Sequence, residues 1–510
     1  MPEHATFRPV WFHDHADFHH LRESFLAAGF TDRGVLTQLG LADLTRLREL
    51  GVDGILNRTA DGSPLSNLIR LFLMGKTLTT DSARDALTTI DLSRVLASGL
   101  LTKCETGIST NFQVLPFLGL YFVVDKPRGL HAEGEPMAHD YVMGIGGSTQ
   151  TLANITIRRP VGSMLDLGTG CGTHALLAAR HADRVIAVDI NPRAVALTRF
   201  NARLNGFDNV EARQGDMFDP VAGERFDLIV SNPPFVISPE TKFIYRDSTL
   251  PDDGIVEHVV RNACPLLNDG GMLQMLCNWC HKHGTNTSDR LRSWLDDQHC
   301  DTWIHESAYT PADEYARTWL SNTDSGSRAD GGRQLRSWLT YYHERGIEGM
   351  SIGMINARKR ACGSTWTHMD SAPERFTMLG PAGDHVLRIF DNCTFLHEQS
   401  DEQLLQARLM AAPDARIMHE LTPVQGQWTL TDCRIRLASG FAFYATLDAY
   451  MARLITSCDG TRPVASLLDA LAADLDQEID RVRVEGLKII RALLERGFLL
   501  APSAAADAAT

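Results

Sequence analysis

The sequence contains no apolar run long enough to cross a membrane, and its first residues lack the basic and then apolar segments of a secretory signal. Its ten cysteines are scattered, without the spacing of a disulfide framework, so reduced and mostly buried thiols are expected. Basic residues are outnumbered, and the formal net charge is −14. These deficits predict a cytoplasmic protein without membrane association. They also argue against broad, non-specific binding of nucleic acid, which needs a basic surface.

The chain has enough apolar material for several cores, because hydrophobic residues make up 44% of its 510 positions. Residues 1–126 carry apolar positions at helical spacing and end in FQVLPFLGLYFVVD, which predicts two strands around a turn. We therefore expect an N-terminal helical, winged-helix-like domain. Residues 127–360 alternate compact β-branched runs with helical stretches. That alternation predicts an α/β domain with a parallel sheet covered on both faces.

The C-terminal third has a different pattern. Residues 361–450 contain the short alternating runs DHVLRIFDN, WTLTDCRIRL and FAFYATL, which predict a β-rich region. Residues 451–503 return to helical spacing and predict a second helical or winged-helix-like module, followed by a frayed tail. Within the α/β region, the polar segment SNTDSGSRADGGR at 321–333 predicts a mobile loop or lid.

The segment MLDLGTGCGTHALLAA, residues 164–179, combines a predicted strand, a glycine-rich turn and a helix. Gly168, Gly170 and Gly172 let the backbone bend tightly and approach a ligand closely, and free N–H groups follow where the helix begins. A purely structural turn would have the same composition. No lysine follows the glycines directly, which argues against a phosphate-binding loop.

Two later strands end near carboxylates. In VIAVDI the second predicted strand ends with Asp189, a position from which a carboxylate can accept hydrogen bonds from a ribose diol. GDMF follows the third predicted strand, where Asp216 can accept from an adenine amino group and Met217 can pack on the ring. A single aspartate at a strand end is usually a cap or turn residue. Two of them in register with the glycine turn predict a nucleoside pocket.

The fourth predicted strand, FDLIVSN, stops at the tetrad NPPF, residues 232–235. Two successive prolines cannot continue a β ladder, so the strand must end there. The carbonyls of Asn232 and Pro233, with the Asn232 side chain, can accept both hydrogens of a planar NH2 group, and Phe235 can stack on that group. With Pro234, these are the predicted catalytic residues. They would act by positioning the acceptor, without a strong general base.

In this order and spacing, DLGTGCG, VDINP, GDMF and NPPF resemble the motifs of class I S-adenosylmethionine-dependent methyltransferases. The resemblance implies a Rossmann-like sheet of seven strands, with the cofactor S-adenosylmethionine across its C-terminal edge. A dehydrogenase shares the glycine turn but is not expected to carry NPPF after its fourth strand. The cofactor-binding residues that the resemblance implies are Asp166, Gly168, Thr169, Gly170, Gly172, Asp189, Ile190, Asp216, Met217 and Asn232.

The same tetrad occurs in methyltransferases that act on adenine N6, on guanine N2 of ribosomal RNA and on glutamine amides of proteins. NPPFVISPE, LNGFDNV and DDGIVEHVV resemble the release-factor glutamine methyltransferase group most closely. The resemblance therefore implies N-methylation of a planar amide or amino group, with a protein glutamine as the first expectation. A nucleobase, a small-molecule amine and a non-catalytic adaptor role stay open. The oligomeric state is not indicated.

Further candidates for ligand contact flank these motifs. They are Tyr245, Arg246 and Trp279 for the acceptor, and Tyr141, Gly144 and Thr149 for cofactor or acceptor. CNWCH, at 277–281, fits a haem-attachment pattern, and His283 would add a possible zinc ligand. Because this segment ends a predicted buried strand, we expect neither haem nor metal there.

Overall fold

The computed structural model describes residues 9–42, 47–127, 130, 137–240, 243–323, 328–371 and 378–502. Contacts divide the chain into two compact units. The first comprises Met1–Thr151, Pro160–Thr287 and Thr310–Met350, and the second Leu152–Arg159, Ser288–Tyr309 and Ser351–Thr510. The predicted frayed tail, residues 503–510, lies outside the described residues. The four predicted domains and their bounds stay predictions.

Helices occur throughout the described chain. They are α1 (His15–Ala27), α2 (Asp32–Leu39), α3 (Leu47–Arg58), α4 (Pro64–Leu68), α5 (Thr80–Ala86), α6 (Leu92–Ser98), α7 (Gly147–Ile155), α8 (Thr173–Ala178), α9 (Pro192–Leu204), α10 (Gly254–Ala263), α11 (Thr287–Ser293), α12 (Ala312–Thr323), α13 (Arg328–Glu344), α14 (Gly383–Glu398), α15 (Asp401–Gln406), α16 (Ala449–Thr456), α17 (Val464–Leu475) and α18 (Ile479–Glu495). Across the part of the chain that is described, none of them has the length and apolar character needed to cross a bilayer.

The strands are β1 (Thr102–Cys104), β2 (Gly107–Ser109), β3 (Phe112–Phe117), β4 (Leu120–Asp125), β5 (Val161–Leu167), β6 (Ala182–Asp189), β7 (Val210–Gln214), β8 (Phe226–Ser231), β9 (Leu267–Lys282), β10 (Cys300–Pro311), β11 (Ile347–Lys359), β12 (Thr367–Ser371), β13 (Met378–Leu379), β14 (Met410–Ala411), β15 (Ala415–Val424), β16 (Gln427–Leu437), β17 (Gly440–Phe441), β18 (Tyr444–Thr446) and β19 (Leu499–Leu500). The predicted pair of strands around a turn is confirmed by β3 and β4, which pair antiparallel from Phe117 opposite Leu120.

The core of the first unit is a parallel sheet in which β9, β8, β5, β6 and β7 lie side by side in that order. The last four residues of β5 and of β8 are all buried, as expected for strands covered on both faces. Leu167, the last residue of β5, lies opposite Ser231, the last residue of β8. The glycine turn and the NPPF tetrad therefore leave the sheet side by side at its carboxyl edge.

Counted over the described residues, the sheet has eight strands, one more than the resemblance implied. In the second unit, β12 pairs in parallel with β10, with Asp370 opposite His305. The strand β12 lies beyond residue 360, the predicted end of the α/β region. Its sequence, THMDS, has no apolar run that would identify it as a strand.

Two local predictions are wrong. DHVLRIFDN is part of a helix, α14, and the helical spacing of its buried residues becomes clear only over all 16 positions. The segment 321–333 is mostly helical, since α12 ends at Thr323 and α13 begins at Arg328. Residues 324–327 of that segment lie outside the described chain. Packing of Trp338 and Tyr342 in a hydrophobic cluster explains why α13 forms despite its polar, glycine-containing start.

Candidate active site

The glycine turn after β5 has the backbone conformation that its sequence predicts. Gly168, Gly170 and Gly172 have φ values of +76°, +57° and +86°, a region that other residues rarely adopt. A Cβ on Gly172 would lie 3.0 Å from the side chains of Leu176 and Thr198. At Gly168 and Gly170, no described heavy atom lies within 4 Å of that position. Two of the three glycines therefore border open space where a ligand can approach the backbone.

Asp166, two residues before the turn, is fully buried. Its Oδ2 accepts hydrogen bonds from the Thr169 hydroxyl at 2.7 Å and the Ala175 N–H at 3.0 Å. Its Oδ1 is buried without a hydrogen-bond partner among the described residues. Burial raises the pKa of this carboxyl to about 7, against the effect of those two hydrogen bonds. A cationic ligand group would supply the missing partner and restore the charged form.

Asp189 ends β6 beside the glycine turn. Its Oδ2 accepts from the Gly170 N–H and its Oδ1 from the Asn191 N–H, both at 2.9 Å. Burial raises the pKa of Asp189, and these two bonds lower it. The next residue, Ile190, is 52% exposed, which suits an apolar contact with a planar ring. The structure thus brings the predicted ribose carboxylate into direct contact with the turn.

The GDMF segment lies next to Asp189, because the Gly215 N–H donates to the Asp189 carbonyl at 3.1 Å. Asp216 is exposed, and Met217 is half-buried with a φ of +45°. Their assigned contacts with an adenine ring remain predictions. The geometry is compatible with them, since both residues follow β7, the neighbour of β6.

At the NPPF tetrad, β8 ends at Ser231 as the two prolines require. The Asn232 Nδ2 donates to the Ser148 hydroxyl at 3.3 Å, while its Oδ1 is buried without a hydrogen-bond partner among the described residues. Pro233 is buried, and Phe235 is half-buried. Ser148 was not predicted as a site residue; it lies between two candidates, Gly144 and Thr149, in the segment expected to approach the ligands.

The loop after the tetrad is held by an internal ion-pair network. Arg246 is only 3% exposed, and its guanidinium pairs with Asp247 at 2.6 Å and Glu240 at 3.3 Å. Through these contacts Arg246 stabilises the conformation of the loop. Tyr245 is half-buried, with its ring centroid 5.7 Å from that of Tyr141 in an edge-on arrangement. Contact of Tyr245 or Arg246 with an acceptor remains a prediction.

Three of the remaining candidates are buried. Tyr141 and Thr149 are both inside the first unit, and a Cβ on Gly144 would lie 3.1 Å from Leu115 and Val124, so this glycine allows close packing. Trp279 is 1% exposed, and its Nε1 is buried without a hydrogen-bond partner among the described residues.

The CNWCH segment belongs to β9. Burial raises the pKa of the Cys277 thiol, and the Cys280 N–H donates to Asp253 at 2.8 Å. His283 pairs with Glu348 at 2.9 Å. Among the described residues, no group of three histidine, cysteine, aspartate or glutamate side chains is arranged to hold a metal ion.

Family models match three segments of the chain. Residues 144–294 match the model described as Methyltransferase small domain. Residues 27–110 and 387–501 match models described as Domain of unknown function, DUF7059 and DUF7782 respectively. The methyltransferase match contains the glycine turn, Asp189, the NPPF tetrad and the end of β9.

Curated relatives include the release factor glutamine methyltransferases of Aliivibrio fischeri and Escherichia coli. The first is 33% identical over 151 residues, covering 26% of this chain and 50% of the relative. The second is 32% identical over 152 residues, covering 27% and 54%. This chain thus spans about half the length of the curated relatives that it matches. A tRNA methyltransferase of M. jannaschii has a solved structure that is 12% identical, with 49% and 58% coverage and a TM-score of 0.29, too low to support a conclusion.

The residues around the turn fit S-adenosylmethionine, whose ammonium group suits the unpaired Asp166 oxygen and whose ribose suits a carboxylate at the position of Asp189. The open space at Gly168 and Gly170 admits a ligand against the backbone. The motifs, this geometry and the family match together identify residues 144–294 as a class I S-adenosylmethionine-dependent methyltransferase domain.

Proposed function

We propose that this protein transfers a methyl group from S-adenosylmethionine to the side-chain amide nitrogen of a glutamine in a protein. The observation that carries the proposal is the hydrogen bonding of the Asn232 side-chain amide. One end of its amide is fixed by Ser148, and the other end presents a buried oxygen without a hydrogen-bond partner among the described residues. A buried acceptor left unpaired costs about 1–3 kcal/mol, which an NH2 group of an acceptor would relieve.

These residues would act by positioning the acceptor nitrogen. An amide nitrogen is a weak nucleophile, because its lone pair is delocalised into the neighbouring carbonyl. The Asn232 side chain and the Pro233 carbonyl would hold its two hydrogens, and Phe235 would fix the plane of the group. Held in this way, the nitrogen presents one face to the methyl carbon, so most of the rate enhancement comes from orientation.

S-Adenosylmethionine supplies a methyl group on a positively charged sulfur and leaves as S-adenosylhomocysteine. The acceptor nitrogen forms the new N–C bond while the S–C bond breaks and the sulfur keeps the bonding pair. The nitrogen then carries an extra positive charge and releases one proton to solvent. Asn232 and Pro233 accept hydrogen bonds throughout, so they stabilise the positive charge that develops on the nitrogen.

Support for a protein acceptor comes from the curated relatives, which are named release factor glutamine methyltransferases. The net charge of −14 also disfavours broad contact with nucleic acid. Because the matches cover about a quarter of this chain, the regions outside 144–294 are free to select a different macromolecule. A nucleobase amine would meet the same tetrad, and the following experiment separates the two acceptors.

The test uses the purified full chain, tritiated S-adenosylmethionine and a fractionated lysate of cells that lack the protein. We expect label that resists ribonuclease and deoxyribonuclease and is lost to protease. Mass spectrometry should then find a methyl group on a glutamine amide nitrogen. Label that is lost to a nuclease would contradict the glutamine assignment and move it to a nucleobase. Label in small molecules only, or no label despite cofactor binding, would also contradict it.

A further inference from the structure

The residue Ile237, two positions after the tetrad, is held through both of its backbone groups. Its N–H donates to the Tyr315 hydroxyl at 3.3 Å, and its carbonyl accepts from the Tyr342 hydroxyl at 2.7 Å. Tyr315 lies on α12 and Tyr342 on α13. Both helices lie beyond residue 294, where the methyltransferase match ends. A helix pair outside the matched domain therefore fixes the segment that follows the catalytic tetrad.

Tyr315 also orients a second asparagine. The Asn278 Nδ2 donates to the Tyr315 hydroxyl at 2.8 Å. Asn278 is only 2% exposed, and its Oδ1 is buried without a hydrogen-bond partner among the described residues. This state matches that of Asn232, where one end of the amide is anchored and the other lacks a partner.

The sheet places the two asparagines near each other. Met275 of β9 lies opposite Ser231, the last residue of β8. Asn232 follows Ser231 by one position and Asn278 follows Met275 by three, so they differ by two positions along adjacent strands. If the chain keeps the direction of β8 for the one residue after Ser231, a strand spacing of about 4.8 Å and a rise of about 3.3 Å per residue place the two Cα atoms about 8 Å apart. One acceptor residue can therefore reach both amides.

We propose that Asn278 is a second acceptor-binding residue, and that its Oδ1 accepts a hydrogen bond from the backbone N–H of the glutamine that is methylated. In a peptide, this N–H is separated from the terminal NH2 group by two methylene groups and the carbons at either end of them. Tyr315 is then a positioning residue, because it holds the Asn278 amide and the loop after the tetrad together. The proposal rests on the proposed function.

This role accounts for the burial of the Asn278 amide beside Tyr315 of α12, a helix outside the methyltransferase match. Burial raises the pKa of the Tyr315 hydroxyl to about 12, so it stays protonated at neutral pH. Recognition of a second N–H would restrict the reaction to glutamines whose backbone is extended and accessible, because the backbone must enter beside β9 with the side chain.

The test uses synthetic peptides with a single central glutamine, tritiated S-adenosylmethionine and the full chain. A matched peptide set carries a methyl group on the backbone nitrogen of that glutamine, which removes the N–H. Wild-type protein should show about a tenfold higher KM for the backbone-methylated peptide, the effect of one hydrogen bond to a buried group. Asn278→Ala should raise the KM for the ordinary peptide about as much and no longer discriminate between the two sets.

The two tyrosines provide the control. Among the hydrogen bonds of the described residues, Tyr315→Phe removes the anchor of Asn278 and one contact to Ile237, whereas Tyr342→Phe removes a contact to Ile237 and leaves Asn278 anchored. We expect Tyr315→Phe to lose discrimination between the peptide sets and Tyr342→Phe to keep it, with S-adenosylmethionine affinity unchanged in both. Tyr315→Phe also serves as the test if Asn278→Ala does not fold.

If Asn278→Ala still discriminates fully between the two peptide sets, or if the two tyrosine variants discriminate equally, the proposed role of Asn278 is wrong. The proposed function is not affected by either result. If the wild-type protein labels no peptide and methylates nucleic acid, the proposed function fails, and this inference fails with it. The wild-type reaction alone therefore distinguishes the two failures.

Discussion

The glycine turn and the NPPF tetrad leave neighbouring strands at the same edge of the sheet, but they are stabilised in different ways. The hydrogen bonds of the turn are local, although the Oδ1 of Asp166 has no hydrogen-bond partner among the described residues. Asp166 accepts hydrogen bonds from Thr169 and Ala175, and Asp189 accepts one from Gly170 in the turn that follows the adjacent strand. The tetrad and the segment after it depend on distant residues: Asn232 bonds to a residue 84 positions away, and Ile237 to residues 78 and 105 positions away.

The difference follows from what the two regions have to bind. S-Adenosylmethionine is the same molecule in every enzyme that uses it, so a short segment can encode its site. The acceptor differs from enzyme to enzyme, and the acceptor site proposed here includes contacts with Ser148 before the sheet and with a helix pair after the methyltransferase match. We call the glycine turn with Asp166 and Asp189 the donor region, and the tetrad with the residues that contact it the acceptor region. We expect the donor region to determine the affinity for the cofactor and the tetrad to determine turnover.

The largest effect is expected from Asn232→Ala. Loss of the only side chain in the tetrad that can hold the NH2 group should lower kcat by about 10²–10³-fold, as removal of one positioned polar group does in other active sites. Calorimetric affinity for S-adenosylmethionine should change little. Asn262→Ala, an exposed asparagine on α10, is the matched control and should behave as wild type. Normal turnover by Asn232→Ala would remove the residue from the mechanism.

The second effect is expected on the donor side, from Asp189→Ala. If Asp189 accepts hydrogen bonds from the ribose hydroxyls as predicted, its loss should weaken S-adenosylmethionine binding by about 10- to 100-fold, the usual contribution of hydrogen bonds to a charged group. The rate at saturating cofactor should be close to wild type. Asp183, exposed on the same strand, gives the control variant Asp183→Ala. An unchanged calorimetric affinity for Asp189→Ala would contradict the assignment.

The third effect is a pH dependence of cofactor binding. Because the pKa of Asp166 is raised to about 7, its charged form dominates at pH 8 and is scarce at pH 6. If the carboxylate pairs with the ammonium group, the Kd for S-adenosylmethionine should rise between pH 8 and pH 6, by less than about tenfold because the ammonium group is itself partly deprotonated at pH 8. Asp166→Asn should show no such change over this range.

In the ligand-free protein, the raised pKa of Asp166 has the opposite pH dependence, because it affects the stability of the folded state and not the affinity for the cofactor. A carboxyl whose pKa is raised by folding stabilises the folded state fully below its ordinary value, and that contribution is lost as the pH rises through 7. Cofactor binding should therefore stabilise the protein against heat more at pH 8 than at pH 6. Equal shifts in Tm at the two pH values would contradict an ion pair at Asp166.

The smallest expected effect is a difference between alanine variants of two glycines of the turn. Gly172→Ala places a methyl group 3.0 Å from two side chains at a positive φ, and should lower the free energy of unfolding by about 1–2 kcal/mol. Gly168→Ala meets no described atom within 4 Å, so its Cβ projects into the space assigned to the cofactor. It should weaken S-adenosylmethionine binding more than Gly172→Ala does. Calorimetry and denaturant unfolding of both variants measure the two effects.

Much of the donor region could be predicted because its signals are contiguous. The strands β5, β6 and β8 are short apolar runs that end at Leu167, Asp189 and Ser231, and the residues after them carry the motifs. The glycine conformations follow directly from the sequence, since three alternating glycines before a helix have few other uses.

The acceptor region could not be predicted to the same extent. Asn278 and Tyr315 are 37 positions apart, and nothing near either residue indicates that they meet. Helix α13 begins with a glycine-containing polar stretch, so local composition predicted a loop, and only packing of Trp338 and Tyr342 explains the helix. For α14, a window of nine residues favoured a strand, because helical spacing needs several turns to become visible.

The separation of donor and acceptor regions is tested most directly by kcat/KM for tritiated S-adenosylmethionine in Asp189→Ala, Asn232→Ala and the double variant, at a fixed concentration of the acceptor. If the two regions act independently, the losses of the single variants multiply in the double variant. A double variant no worse than Asn232→Ala alone would contradict independence, and would mean that the tetrad and the ribose carboxylate act as one unit.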